Sequence, residues 1–276
     1  MHIGSHVSIR GGFLEAAKLA FSLGANAFQY FPKNPRSLAV KSFNRADAAA
    51  CAAFCREHGL LSIAHTPYLI NLAIDAGDLR EAMIRSLRND LDIAEACGSV
   101  GIIVHFGHYS GKDPLQGYKN IIQCLNSVLA DWRGNSLFLL ENQAGAGSAM
   151  GTTMEEMVQI RNLAANPGKI GFCLDTCHAF ASGMWNGGNW PELLEHGSRI
   201  GYFERLCAVH LNDSVHETGS GKDRHANVGQ GQIGERRMAE LLRGPYFHSI
   251  PIVLETPVPA SGSHRDEIAY VRQLAE

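Results

Sequence analysis

GIIVH, Gly101–His105, is a short apolar run rich in β-branched residues that stops on an imidazole. LFLLE, Leu137–Glu141, repeats the form and stops on a carboxylate, and the chain between them, Pro114–Trp132, reads as a helix. Working outward finds the same kind of stretch six more times, at His2–Val7, Ala27–Phe31, Leu61–His65, Ile170–Asp175, Leu206–His210 and Pro251–Glu255. Their ends lie about 24 to 45 residues apart, which suits βαβ units of roughly 30 residues or more. Helical patterns fill the intervals: Leu14–Leu23, Arg45–His58, Leu79–Cys97, Thr153–Ala165, Pro191–Arg205, Glu235–Arg243 and Arg265–Leu274. Gly24, Gly59 and Gly98 follow the first three of these as C′ glycines, and Asp78 is placed to cap the third at its start. Strict alternation of eight strands and eight helices predicts an α/β fold, one closed (β/α)8 TIM barrel domain over residues 1–276. An open doubly wound sheet would carry a Gly-rich phosphate fingerprint after its first strand, and GSHVSIRGG is not GxGxxG.

Composition sets the remaining bounds. At 45% hydrophobic and 18% charged, 276 residues can bury a large core. No run approaches the roughly 18 apolar residues of a membrane span, and MHIGSHVSIRGG has no apolar signal-peptide core. The seven cysteines are scattered; Cys51 and Cys55 fall at helical spacing, and Cys173 and Cys177 are not a CxxC pair. They read as reduced thiols, so the expectation is a cytoplasmic protein without membrane partners.

The strand ends carry the chemistry. The third to eighth stretches stop at His65, His105, Glu141, Asp175, His210 and Glu255, and in a parallel barrel such ends open on one mouth. Ile63, Ile103 and Leu139 precede the first three by two positions, so alternation turns each pair toward the barrel interior. One such group alone reads as a buried side chain satisfied by hydrogen bonds. Six at one mouth repel or stay unsatisfied unless cations lie among them. Imidazole and carboxylate, with no thiolate at a strand end, suit Zn²⁺ or Mn²⁺. A further set lies in loops. His178 follows Asp175 by three residues, and Asp223 and His225 stand at i,i+2 in HETGSGKDRHANVGQGQIG, a Gly-rich polar stretch suited to a shaped active-site loop.

The segments IGSHVSIRGG, HTPYLINLA, LLENQAGAGSAMG, GFCLDTCHAFASG, AVHLNDS, KDRHANVGQGQIG and PIVLETP run in order over nearly the whole chain. Together they resemble endonuclease IV, the zinc-dependent AP endonucleases of the xylose-isomerase-like TIM barrel superfamily. The resemblance implies a trinuclear zinc centre, with Mn²⁺ possible at one site. His65, His105 and Glu141 would hold one ion; Glu141, Asp175, His210 and Glu255 a second; His178, Asp223 and His225 a third. Glu141 would be the catalytic bridge between the two zincs that hold the nucleophilic hydroxide. The implied partner is double-stranded DNA containing abasic sites, cut 5′ to the lesion in base excision repair by a monomeric enzyme. The implied products are a 3′-hydroxyl and a 5′-deoxyribose phosphate. Arg36 in FPKNPRS and a Tyr68-Leu69 wedge would read the DNA.

Two departures stand out. VHFGHYSG has no proline straight after His105, and Ala226 follows His225 where some members carry a second histidine. A net charge of -3 does not advertise a nucleic-acid binder, although three Zn²⁺ (+6) would bring the total to +3. The alternatives are a metal-dependent sugar isomerase or epimerase of the same superfamily and a non-catalytic DNA-binding relative. The first leaves His178, Asp223 and His225 without a role.

Overall fold

In the computed structural model, which describes residues 1–276 except Ser148 and Ala149, the eight apolar stretches form strands at nearly the expected bounds. Part of the LLENQAGAGSAMG segment therefore lies outside the described residues. The strands are β1 (His2–His6), β2 (Ala27–Tyr30), β3 (Leu61–His65), β4 (Gly101–His105), β5 (Leu137–Glu141), β6 (Ile170–Asp175), β7 (Leu206–His210) and β10 (Pro251–Leu254). They pair in parallel, each with its chain neighbours, and β10 returns to β1 to close the barrel. Glycine serves close approach between them: a Cβ on Gly4 would lie 1.6 Å from the Ala27 carbonyl oxygen, and one on Gly101 2.3 Å from that of Leu137.

Two apolar layers result. Outside the strands, α1 (Phe13–Ser22), α2 (Arg45–His58), α3 (Asp78–Ala96), α4 (Pro114–Leu129) and α5 (Met154–Leu163) pack through buried faces. So do α7 (Trp190–Arg199), α8 (Glu235–Leu242) and α9 (Arg265–Leu274). Inside, Ile63, Ile103, Leu139, Cys173, Ala208 and Val253 form a separate, fully buried cluster. Each stands two residues before a predicted ligand, so the period of two that fills the barrel also raises the ligand to its rim. Gly24, Gly59 and Gly98 have φ of 78°, 64° and 68°, the left-handed geometry expected after a helix.

Several local expectations are corrected. Asp78 is the first residue of α3, and the cap position belongs to Gly77, whose φ of 155° favours glycine and which has no side chain to cap the helix. An acid in the first turn still opposes the helix dipole favourably. The Pro191–Arg205 helix stops at Arg199, and a separate 3₁₀ turn covers Phe203–Arg205. His178 does not lie in a loop: it sits in the first turn of a short helix, α6 (Thr176–Ser182), capped by the Asp175 carboxylate accepting from the His178 N–H at 2.7 Å. The Gly-rich stretch contains ladder structure, since β9 (His225–Ala226) within it pairs antiparallel with β8 (Asp213–Ser214) just before it. Buried Asp213 then accepts from the N–H groups of Gly229, Gly231, Ile233 and Gly234, drawing the rest of the loop around one carboxylate.

The loop after β2 is tied down from α3. Lys33 and Asp90 form a buried ion pair at 2.9 Å, Lys33 also donates to the Ser86 carbonyl, and Asn89 brackets the backbone of Lys41 with two hydrogen bonds. The seven cysteines are free thiols, as their spacing suggested. Among the described residues, no helix is long and apolar enough to cross a membrane.

Candidate metal centre

All nine predicted ligands meet at the mouth, in the sets the resemblance implied. His65, His105 and Glu141 offer one atom each within 4.8 Å of one another, as do His178, Asp223 and His225, and as do Glu141, Asp175, His210 and Glu255. Glu141 belongs to two sets and is fully buried. Its Oε2 lies 2.8 Å from His105 Nε2 and 3.7 Å from His65 Nε2; its Oε1 lies 2.8 Å from His210 Nδ1. Asp223 reaches His178 Nε2 at 3.2 Å with one oxygen and His225 Nε2 at 3.1 Å with the other. Both ligands of the i,i+2 pair therefore face one side, as their spacing required.

Neighbouring groups decide which nitrogen each ring presents. Backbone carbonyls of Thr66, Asn142 and Glu255 lie 2.8, 2.9 and 3.3 Å from the Nδ1 atoms of His65, His178 and His225. A carbonyl can only accept, so these three rings carry hydrogen on Nδ1 and turn Nε2 toward the mouth. Two asparagines do similar work on the acids. Asn142 exchanges hydrogen bonds with the backbone of Asp175, and Asn212 donates to Asp175 Oδ2 at 2.7 Å while accepting from the Glu255 N–H. Neither was singled out in the sequence; the available signal was an amide directly after Glu141 and another two residues after His210.

Charges at the mouth are strongly coupled. Burial opposes the charged form of His178, but Asp175, Asp223 and Glu141 prevail and hold its pKa up at about 10. Burial likewise opposes His225, which Asp223, Asp175 and Glu255 raise to about 9. Against burial, His210 and His105 keep Glu141 well below the usual carboxylate range, and His210 and His65 lower Glu255 to about 2. For Asp175 burial wins and the pKa rises. His6, at the end of β1, is pushed down to about 4 by burial.

The donors fit zinc. Glu141 Oε2 and His225 Nε2 are buried with no hydrogen-bond partner, although each faces other lone-pair atoms at the distances above. Donors around a tetrahedral Zn²⁺ stand about 3.3 Å apart, from bond lengths of about 2.0–2.1 Å. Cys177 lies beside Asp175 and His225, but burial pushes its thiol up to about 12, and its sulfur donates toward the Arg224 carbonyl. That leaves a protonated thiol, and the site remains one of nitrogen and oxygen donors.

Two of the three predicted reading residues, Tyr68 and Leu69, line a cleft of about 460 Å³ beside this cluster, together with Asn71, His105, His178 and Asp223; Arg36 does not line it. Tyr68 and Leu69 are 65% and 50% exposed, so neither is packed into the core. Their loop is joined to that of exposed Arg36 by the Tyr68 N–H donating to the Pro35 carbonyl at 2.9 Å, and by the Phe31 and Tyr68 rings at 5.2 Å. In the atypical HFGH turn, Gly107 has φ 85° and Phe106 is buried. Asn71 and Gln143 each make two hydrogen bonds to its backbone, at His108 and Gly107, so the turn is held firmly without a proline.

Relatives match this chain in length and fold. The family described as xylose isomerase-like TIM barrel matches residues 17–274. A protein named probable endonuclease 4 from Symbiobacterium thermophilum is 44% identical over 276 residues, covering 100% of both chains. The crystal structure of endonuclease IV from Thermus thermophilus aligns with a TM-score of 0.86 at 33% identity, over 99% of this chain and 98% of that one. A 3-keto-D-glucoside 4-epimerase from E. coli covers 99% of both chains at a TM-score of 0.69, but its 18% identity carries a likeness of fold alone. Identity and coverage together therefore place the chain in the endonuclease IV family, within the xylose isomerase-like TIM barrels.

Proposed function

We propose that this protein hydrolyses the backbone of duplex DNA 5′ to abasic sites, with three zinc ions held by the three donor sets. The observation that carries the reading is the sharing of Glu141 by two sets beside a cleft rimmed by exposed Tyr68 and Leu69. The names of the relatives support a DNA endonuclease. Zinc would supply Lewis acidity for the phosphate and a hydrolytic water usable near neutral pH.

The chain's own residues do the rest. Glu141, kept ionised by His210 and His105, places one oxygen toward each of two donor sets. The layer of Ile63, Ile103, Leu139, Cys173, Ala208 and Val253 closes the barrel beneath the acids and excludes water from below. Tyr68 and Leu69 fill the gap beside a flipped nucleotide, and Arg36 contacts the backbone or the minor groove. The sugar isomerase alternative leaves the His178, Asp223 and His225 set unused and is not favoured.

The test joins elemental analysis to incision of an abasic duplex. Protein never exposed to chelator should carry about three zinc-type ions per chain and nick 5′ to the lesion; one ion, or no incision, sinks the reading. Glu141→Gln should lower incision at least about 100-fold, as when a charge-stabilising group leaves a hydrolytic site. Near-normal turnover with a full metal complement would remove Glu141 from its bridging place.

A further inference from the structure

The predicted ligands leave out a side chain at the bottom of their cluster. Gln29, on β2, is fully buried and reaches between two of them. Its Oε1 lies 2.7 Å from His210 Nε2, its Nε2 donates to Glu255 Oε1 at 2.6 Å, and the same nitrogen lies 3.3 Å from His6 Nδ1. We infer that Gln29 is a positioning residue, dictating that His210 offers Nδ1 and Glu255 offers Oε2 to the donor set they share with Glu141 and Asp175.

Donors and acceptors fix the orientation of the amide. An ionised carboxylate only accepts, so the amide must turn its NH₂ toward Glu255. Rotated by half a turn, it would set its oxygen against the Glu255 oxygen. With the NH₂ so placed, the amide oxygen faces His210, and the hydrogen of that ring must sit on Nε2. His210 Nδ1 is then left facing Glu141 Oε1 at 2.8 Å and Glu255 Oε2 at 3.2 Å.

This reverses the pattern of His65, His178 and His225, whose Nδ1 atoms are held by backbone carbonyls and which turn Nε2 to the mouth. Those carbonyls survive any side-chain change. The His210 arrangement rests on one amide, so it is open to substitution. The inference depends on zinc in this set, as in the proposed function, but not on which bond the enzyme cuts.

Gln29→Leu removes both contacts at similar volume, and Gln29→Met serves if branching disturbs β2. Zinc-loaded wild type and variants would be titrated against a competing chelator, and the His210 ring nitrogens observed by ¹⁵N NMR. The wild type should show hydrogen on His210 Nε2 with Nδ1 metal-bound. Gln29→Leu should melt cooperatively, bind one zinc equivalent about 10- to 100-fold more weakly, the range for loss of an orienting outer contact, and lose the fixed His210 tautomer. Unchanged affinity and an unchanged tautomer in both variants would overturn the inference and leave the proposed function standing. Wild type that binds zinc but does not nick abasic DNA, with the variants still losing zinc, would do the reverse. A wild type that takes up no zinc in this set overturns both.

Discussion

Asp90 lies wholly inside the protein, opposite the Lys33 ammonium and beneath the loop that carries Arg36. Burial pushes its carboxyl up from 3.8 to about 7, although Lys33 pulls the other way. A folded pKa above the unfolded one means that the folded chain keeps a proton the unfolded chain gives up. The resulting stability is complete below about pH 4 and is lost as pH rises to about 7. The wild type should therefore lose urea stability between pH 4.5 and 7 relative to Lys33→Met/Asp90→Leu, which lacks the pair; equal pH slopes would refute this. At pH 7.5, Asp90→Leu alone should cost about 3–5 kcal/mol by stranding the ammonium, while the double variant should be near neutral. At this scale the sequence was informative for groups standing at strand ends. Lys33, Asp90 and Gln29 were hidden because a buried polar residue has no spacing that marks its partner, which here comes from a distant part of the chain.

Elements follow the same division. Eight strands could be read because most are short apolar runs bounded by turns, the signature of parallel strands buried on both faces. The short α6 could not, since TCHAFAS is too brief for a period of 3.6 to show and depends on Asp175 for its cap. Its consequence is functional: a side chain in a first helical turn leans back toward the N-terminus, which turns His178 over the mouth. The loops after β2 and β3 lend themselves to a test that separates recognition from folding. Tyr68→Ala should change stability by less than about 0.5 kcal/mol, because the ring is mostly exposed, and should keep the full zinc content. It should weaken discrimination of abasic from intact duplex by roughly 5- to 150-fold, the value of about 1–3 kcal/mol of stacking. Arg36→Ala should instead lower affinity for both duplexes and reduce the salt slope by about one. Titration of both duplexes at two salt concentrations checks each, and unchanged discrimination in Tyr68→Ala would leave lesion recognition to the cleft and its metals.

Across the whole molecule, five histidines and four carboxylates crowd one end of the barrel, and the charge of the chain without ions is -3. Ions that bind only the folded mouth stabilise the fold by mass action, by about 4 kcal/mol when free metal stands at 1,000 times its Kd. Protein stripped by prolonged chelation should melt well below the loaded form, and Zn²⁺ rather than Mg²⁺ should restore the lost stability. Identical melting of stripped and loaded protein would mean that no ion engages these groups. The barrel itself was legible because alternation, spacing and strand ends all pointed one way. What the order of residues could not show was the depth of the shared acids, since burial arises only when all eight strands close.

That closure also has a direction in time. His65, His105 and Glu141 all come from β3, β4 and β5, whereas His178, Asp223 and His225 come from the later part of the chain. The set that joins them needs Glu141 from the earlier part and Glu255 from just beyond β10. A ribosome delivers these pieces in that order, so a nascent chain has every donor of the first set before β6 exists. Glu255 arrives last of the nine, directly after the strand that pairs with β1 and shuts the ring. Completion of the shared site and closure of the barrel thus await the same stretch of chain, and a nascent chain that has not reached β10 owns at most part of the centre.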